Sequence, residues 1–316
     1  MNLFIGIDVG AVSTNLAALD ETRRVAFSSY LRTQGDPIGS IKAGLREAGE
    51  GLDAADVVAC GTTGSGRHLA AAMAGADVVM NEITSHAAAA LHFFPAARTV
   101  IEIGGQDSKI IVIRDGVPVD FAMNAVCAAG TGSFLDYQAS RMGISVEDLA
   151  RMAAEAPEGA HISGRCAVFA ESDLIEKQQR GVARGALLRG LCDCLARNFL
   201  SGVARGKPIV PPVVFQGGVA ANRAVVKAFE RELATTIEVP RHYDVMGAIG
   251  VALIAARQPS GRPSKFKGFR IEGEALSSRS FECGGCCNRC DVFEMLDGGR
   301  LVSRWGSRCG KWDVIE

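Results

Sequence analysis

The chain has 316 residues, enough for two lobes and a small appendage, with 48% apolar residues, 22% charged residues and a formal net charge of -1. So even a balance gives no reason to expect nucleic acid as a partner, and no apolar run reaches the length of a membrane span. The N-terminus shows no basic start, apolar signal region or cleavage site, so a cytoplasmic protein is expected, and its ten cysteines are expected as thiols or metal ligands rather than disulfides.

Residues 3–19 begin with a buried-strand pattern, Phe-Ile-Gly-Ile-Asp-Val-Gly at 4–10, that turns and returns at Ser13 and Thr14. Residues 36–51 read as a helix, Cys60 follows an apolar run as core packing, and the Ala-rich 86–91 favours helix. The strand, turn, strand form recurs at 99–113, Thr-Val-Ile-Glu-Ile-Gly-Gly-Gln-Asp-Ser-Lys-Ile-Ile-Val-Ile, and two such hairpins a hundred residues apart suggest a duplicated lobe. Helices are expected at 136–155, over 171–205 with glycine interruptions, and at 245–256. Between the last two, 212–229 runs from a strand through Gly217 and Gly218 to Asn222 and a helix, a loop on which an adenosine could rest. Residues 258–268 combine Pro, Gly, Ser and basic residues as a linker, and 269–316 form a Cys-rich tail.

Glycine turns directly after apolar strands suit phosphate, because backbone N–H groups can approach its oxygens where no Cβ intervenes. Gly10, Ser13, Thr14, Gly104 and Gly105 meet that need. A Mg²⁺ ion bridging phosphates needs carboxylate oxygens, usually through water; Asp8 stands at the first turn and is the leading candidate, with Asp107 at the second. Gln106 shares the second turn and joins these two aspartates as a catalytic candidate. Arg67 and Lys109 could approach phosphate or remain as paired charges.

Cys127 and Cys166 each precede a run that reads as a helix start, where N–H groups and the positive end of the dipole favour an anionic sulfur. Spacing alone favours ordinary buried cysteines. Two thiolates also fall short of the four that a cubane takes, so a further pair, from this chain or from a two-fold copy, would have to complete such a site. In the tail, Cys283, Cys286, Cys290 and Cys309 are assigned as four ligands for zinc or a second iron–sulfur cluster, with Cys287 left spare. So few aliphatic residues need such a staple, or docking onto the body. Cys192 and Cys194, two apart on a helix, point different ways; His68, His86, His92, His161 and His242 lack ligand spacing, and Met142 and Met152 read as helix packing.

The segments 6–20, 101–113, 124–136, 164–173 and 213–226, with 62–67 and 81–87, resemble the activator ATPases of 2-hydroxyacyl-CoA dehydratases and the ATPase subunits of benzoyl-CoA reductases. The resemblance covers about residues 3–257. It implies an α/β fold of two RNase-H-like lobes of the actin and sugar-kinase type, here 1–95 and 96–257, with ATP or ADP and Mg²⁺ in the cleft, followed by the linker and the Cys-rich module. It further implies a homodimer sharing one [4Fe–4S] cluster through Cys127 and Cys166 of each subunit. A flavodoxin or ferredoxin would reduce that cluster, and ATP would drive the electron to an iron–sulfur partner enzyme. Glu102 departs from the aspartate expected there. The tail resembles that of larger, orphan activase-like members, which makes a double-cubane cluster protein an alternative partner. Rival readings are a small-molecule kinase of the same superfamily and a nucleotide-dependent regulator without turnover.

Overall fold

The structure is a computed structural model that describes residues 2–124, 128–163, 166–258, 263–271 and 276–315. The chain divides into two compact units, Met1–Ser85 with Gly247–Glu316, and His86–Met246. In the first unit β1 (Leu3–Val9), β2 (Ser13–Leu19) and β3 (Val25–Arg32) form an antiparallel meander. Helix α1 (Pro37–Ala48) follows, capped by Asp36, whose carboxylate accepts from Gly39 N, with proline at the first helical position. Then β4 (Val57–Thr63) lies parallel to β1, α2 (Arg67–Ala74) closes on a left-handed Gly75, and β5 (Val78–Val79) completes the sheet. Strand β1 is apolar from Leu3 to Ile7 because both its faces are covered there. Helix α3 (Glu82–Phe93) leads to the second unit.

There β6 (Thr99–Ile103), β7 (Ser108–Arg114) and β8 (Val117–Asn124) repeat the meander. Helices α4 (Gly132–Arg141), α5 (Val146–Glu155), α6 (Ala167–Gln179) and α7 (Arg184–Ser201) come next. Strand β9 (Val213–Gln216), parallel to β6, helix α8 (Arg223–Leu233) and β10 (Ile237–Glu238) end the unit. The sheets run β3-β2-β1-β4-β5 and β8-β7-β6-β9-β10, so the two units share one strand order and sense. The expected helix at 136–155 is two helices, broken before the Ser145 cap of α5, and 171–205 is likewise α6 and α7, parted around the left-handed Gly181. Among the described residues no helix is long and apolar enough to cross a membrane.

The unit boundaries differ from the linear division at 95 and 257. Helix α9 (Met246–Ala255) belongs with the first unit from Gly247 onward, and its backbone lies so close to β1 that a Cβ on Gly6 would come within 1.9 Å of Ala248 O. The described part of the 258–268 linker is pinned down too: Ser264 Oγ and Lys265 N donate to Asp77, and Lys267 N donates to Ala74 O. The tail folds as an antiparallel sheet, β11 (Leu276–Glu282), β12 (Asp291–Asp297), β13 (Arg300–Trp305) and β14 (Val314–Ile315). Met295 and Phe269 join Leu3, Ile5, Leu45 and Met73 in one core, so the tail docks on the body instead of standing apart.

Glu294 is buried in this sheet between the guanidinium groups of Arg279 and Arg304. These hydrogen bonds, Arg279 first, outweigh burial and hold its carboxyl below the usual glutamate range. A lowered folded pKa contributes stability above the ordinary value and loses it as pH falls through the lowered one. Glu294→Gln is therefore expected to cost about 2 kcal/mol at pH 7, with the gap to the parent closing at acid pH. Urea titrations at several pH values would show it, and a pH-independent gap would mean that shape, not charge, matters.

Candidate functional site

The first hairpin is closed by its own backbone, with Gly10 N donating to Ser13 O at 2.8 Å. Thr33 Oγ1 reaches Gly10 O at 3.1 Å and shares a hydrogen bond with the buried Thr14 hydroxyl, which ties Thr14 to the fold, while Ser13 stays half-buried. Asp8 sits half-buried at the end of β1. The 62–67 loop wraps this strand end: Gly66 N and Ser65 Oγ both donate to Val9 O, and Arg67 donates back to Gly64 O. Gly64 has φ +90, and a Cβ there would stand 2.5 Å from Asp8 Oδ1, so only glycine allows the loop this close to the carboxylate.

The second hairpin closes in the same way, Gly104 N on Asp107 O at 3.0 Å. Behind it Glu102 pairs across the ladder with Lys109, both almost fully buried. Lys109 Nζ donates to Glu102 Oε2 at 2.8 Å and to Asp107 Oδ1 at 2.7 Å. Burial pushes the Glu102 carboxyl above its usual range, with Lys109 opposing. Lys109 is thus the internal counter-charge of this turn, and Gln106 is exposed at its tip. Gly105 stands beside it, half-buried.

In the third loop Gly217 N donates to Tyr243 O at 2.7 Å, and Gly218 is exposed. Asn222 caps α8, accepting from Ala224 N and Val225 N, and also meets Cys192 Sγ. Its side chain is committed to the helix start. Gln216, fully buried, bonds His86 Nδ1 at 2.9 Å, so His86 is a satisfied core residue as its lack of ligand spacing suggested.

Helix α4 starts on the second hairpin itself: Gly132 N donates to Gly104 O, and Ser133 N and Oγ both donate to Gly105 O. Both residues belong to the Gly-Thr-Gly-Ser run after Cys127, but nothing local in the sequence announces a partner almost thirty residues upstream. Cys127 lies outside the described residues. Cys166 is the N-cap of α6, in extended conformation and without a side-chain capping bond, half-buried, beside the exposed Val168 and Phe169; Tyr137 on α4 is exposed as well. A thiolate there faces the positive end of a helix. By contrast Cys60, Cys192 and Cys194 are buried, and burial raises all three thiols, Cys192 to about 12 and Cys194 to about 11.

In the tail Cys283 and Cys290 face each other, with Cys283 N donating to Cys290 O at 2.8 Å. Cys283 Sγ accepts from Gly285 N and from Trp312 Nε1, which brings the 309–312 turn beside it. Cys286, Cys287 and Cys309 are exposed thiols. Among the described residues no group of three or more His, Cys, Asp or Glu side chains is gathered tightly enough to hold a metal ion.

The BadF/BadG/BcrA/BcrD ATPase family matches residues 5–255, leaving the tail outside. The chain is 35% identical to the (R)-2-hydroxyglutaryl-CoA dehydratase activating ATPase of Acidaminococcus fermentans, over 80% of this chain and 97% of that one. Among solved structures it is similar to component A of the (R)-2-hydroxyglutaryl-CoA dehydratase of Acidaminococcus fermentans, with TM-score 0.74 and 34% identity over 81% and 98% of the two chains. It is also similar to the activator of the 2-hydroxyisocaproyl-CoA dehydratase of Clostridium difficile with bound ADPNP, with TM-score 0.73 and 31% identity over 80% and 94%.

Proposed function

The chain belongs to the BadF/BadG/BcrA/BcrD ATPase family, and from that premise we propose that it is an ATP-hydrolysing electron-transfer activator. It takes electrons from a flavodoxin or ferredoxin and delivers them to an iron–sulfur partner, either a 2-hydroxyacyl-CoA dehydratase-like enzyme or a double-cubane cluster protein. The observation that carries this reading is the anchorage of α4 on the 104–107 turn through Gly132 and Ser133. One short chain of hydrogen bonds joins a phosphate-type turn to the segment after Cys127.

In this reading the phosphates take N–H groups inside the two turns, at 11–12 and 105–106, because the N–H groups of Gly10 and Gly104 already close those turns. Asp8 holds Mg²⁺ through water and Gln106 orients the attacking water. Asp107, tied to Lys109, keeps the second turn in shape. Gly217 and Gly218 leave room for the adenosine. A shift of the 104–107 turn carries Gly132 and Ser133 with it and so biases the start of α4 between two positions.

Cys127 and Cys166, with the same pair of a second copy, would hold a [4Fe–4S] cluster. Cys166 fits this role chemically, as an uncommitted thiol at a helix N-terminus. The bound cluster would supply the low-potential electron. Val168, Phe169 and Tyr137 offer the second copy an exposed apolar rim. In the tail, Cys283, Cys286, Cys290 and Cys309 remain the proposed set for zinc or a second cluster. Cys283 and Cys290 are already paired through the backbone, whereas Cys286 and Cys309 would have to close on them.

The test is iron, sulfide and zinc per chain in anaerobically purified protein, beside Cys127→Ala and Cys166→Ala, with size exclusion. About two irons and two sulfides per chain in a dimer, lost in both variants, are expected. Iron-free parent protein would sink the reading and return the effort to kinase substrates.

A further inference from the structure

Helix α7 touches the segment just after Cys127 and the segment just before Cys166. Along one side it is laced to the stretch before Cys166: Arg189 donates to Pro157 O at 2.9 Å, Ala160 N donates to Ala186 O at 2.8 Å, and Arg197 donates to Ile162 O at 2.9 Å. One residue later Cys194 Sγ donates to Ser163 O at 3.3 Å. Burial keeps that thiol protonated at neutral pH, raising it to about 11, so it remains a donor. One turn further along, Asn198 Nδ2 donates to Ala129 O at 3.4 Å and to Cys194 Sγ at 3.6 Å. Ala129 lies two residues after Cys127, and Ser163 three residues before Cys166.

Residues at i and i+4 share a helix face, so Cys194 and Asn198 form a continuous bridge: Ala129 O, Asn198, Cys194, Ser163 O. Each bond alone is weak, the two at Cys194 because they involve sulfur and the one from Asn198 to Ala129 O because it is long, at 3.4 Å. Their joint effect is geometric, since both cysteine segments are referred to one rigid helix instead of to each other. We propose that Cys194 and Asn198 are positioning residues that hold the 128–130 segment after Cys127 and the 160–163 segment before Cys166 to one helix and make the two segments move together. The proposal rests on the reading that these two cysteines hold the cluster.

The test uses the full chain with Asn198→Ala, Cys194→Ala and Cys194→Ser, the last of which keeps a hydrogen-bond donor. Amide exchange is measured in iron-free protein over 128–134 and 159–166. Both alanine variants are expected to raise exchange in both segments by about five- to tenfold, and Cys194→Ser to stay within about twofold of the parent. In iron-loaded protein the EPR line shape of the reduced cluster should change in the alanine variants and return in Cys194→Ser. Exchange that rises only in the segment each residue touches would overturn the bridge, as would parent-like exchange in both alanine variants. A parent without iron would overturn the cluster reading instead, and the exchange result on iron-free protein would still decide the bridge.

Discussion

Lys109→Met is expected to destabilise the second unit by about 3–5 kcal/mol, because it leaves Glu102 buried without its counter-charge. The Lys109 and Glu102 side chains are 3% and 5% exposed, so water cannot replace the lost ammonium. The result should depend on pH with a definite sign. Burial already raises the Glu102 pKa, and without Lys109 it should rise further. A carboxyl with a raised folded pKa is most stabilising below its unfolded value and loses that contribution as pH climbs through the folded one. The deficit of the variant should therefore widen from acid to neutral pH. Adding Glu102→Leu to Lys109→Met should recover most of the loss, since an apolar pair is often as stable as a buried ion pair. Denaturant midpoints across pH decide the matter, and a parent-like midpoint for Lys109→Met at neutral pH would mean that the pair is not dry.

Asp8→Asn is expected to lower Mg²⁺-dependent ATP hydrolysis by about 10²–10³-fold, the loss typical of removing one preorganised electrostatic contact to developing charge. The amide keeps the shape of the carboxylate, so the fold at β1 should survive. Nucleotide binding without Mg²⁺ should change little, because in the proposed site the turns and not Asp8 hold the phosphates. Gly64→Ala should reproduce part of the loss from outside the chemistry. Its methyl group would press within 2.5 Å of Asp8 Oδ1 and adopt a backbone conformation costly for alanine. Hydrolysis and calorimetric binding, each with and without Mg²⁺, separate the two effects. Near-parental turnover in Asp8→Asn would pass the metal role to Asp107.

Strands β1, β2, β6, β7 and β9 and the turns at Gly10, Gly104 and Gly217 were legible in the sequence, because buried strands and glycine turns are written in consecutive residues. The matching of the two hairpins was legible for the same reason, and the common strand order of the two sheets bears out the duplication. Helix lengths were less legible. Apolar residues continue across 136–155 through Met142, Ile144 and Val146, and the break before Ser145 depends on one glycine and one cap rather than on any loss of apolar period.

The sequence by itself determined the residue chemistry at each turn: carboxylates at 8 and 107, hydroxyls at 13 and 14, thiols at 127 and 166. Only the tertiary structure decided which of these groups are committed elsewhere and which segments answer to one another. Lys109 turned out to neutralise its own hairpin, Asn222 to cap a helix, and Thr14 to bond Thr33. The tail, outside the family match, was drawn into the core of the first unit by Met295 and Phe269. Likewise Gly132 reaches back to Gly104, and Asn198 on α7 reaches back to Ala129. These last two pairings join residues 28 and 69 positions apart, and local propensity carries no record of contacts that form only when buried polar groups must each find a partner.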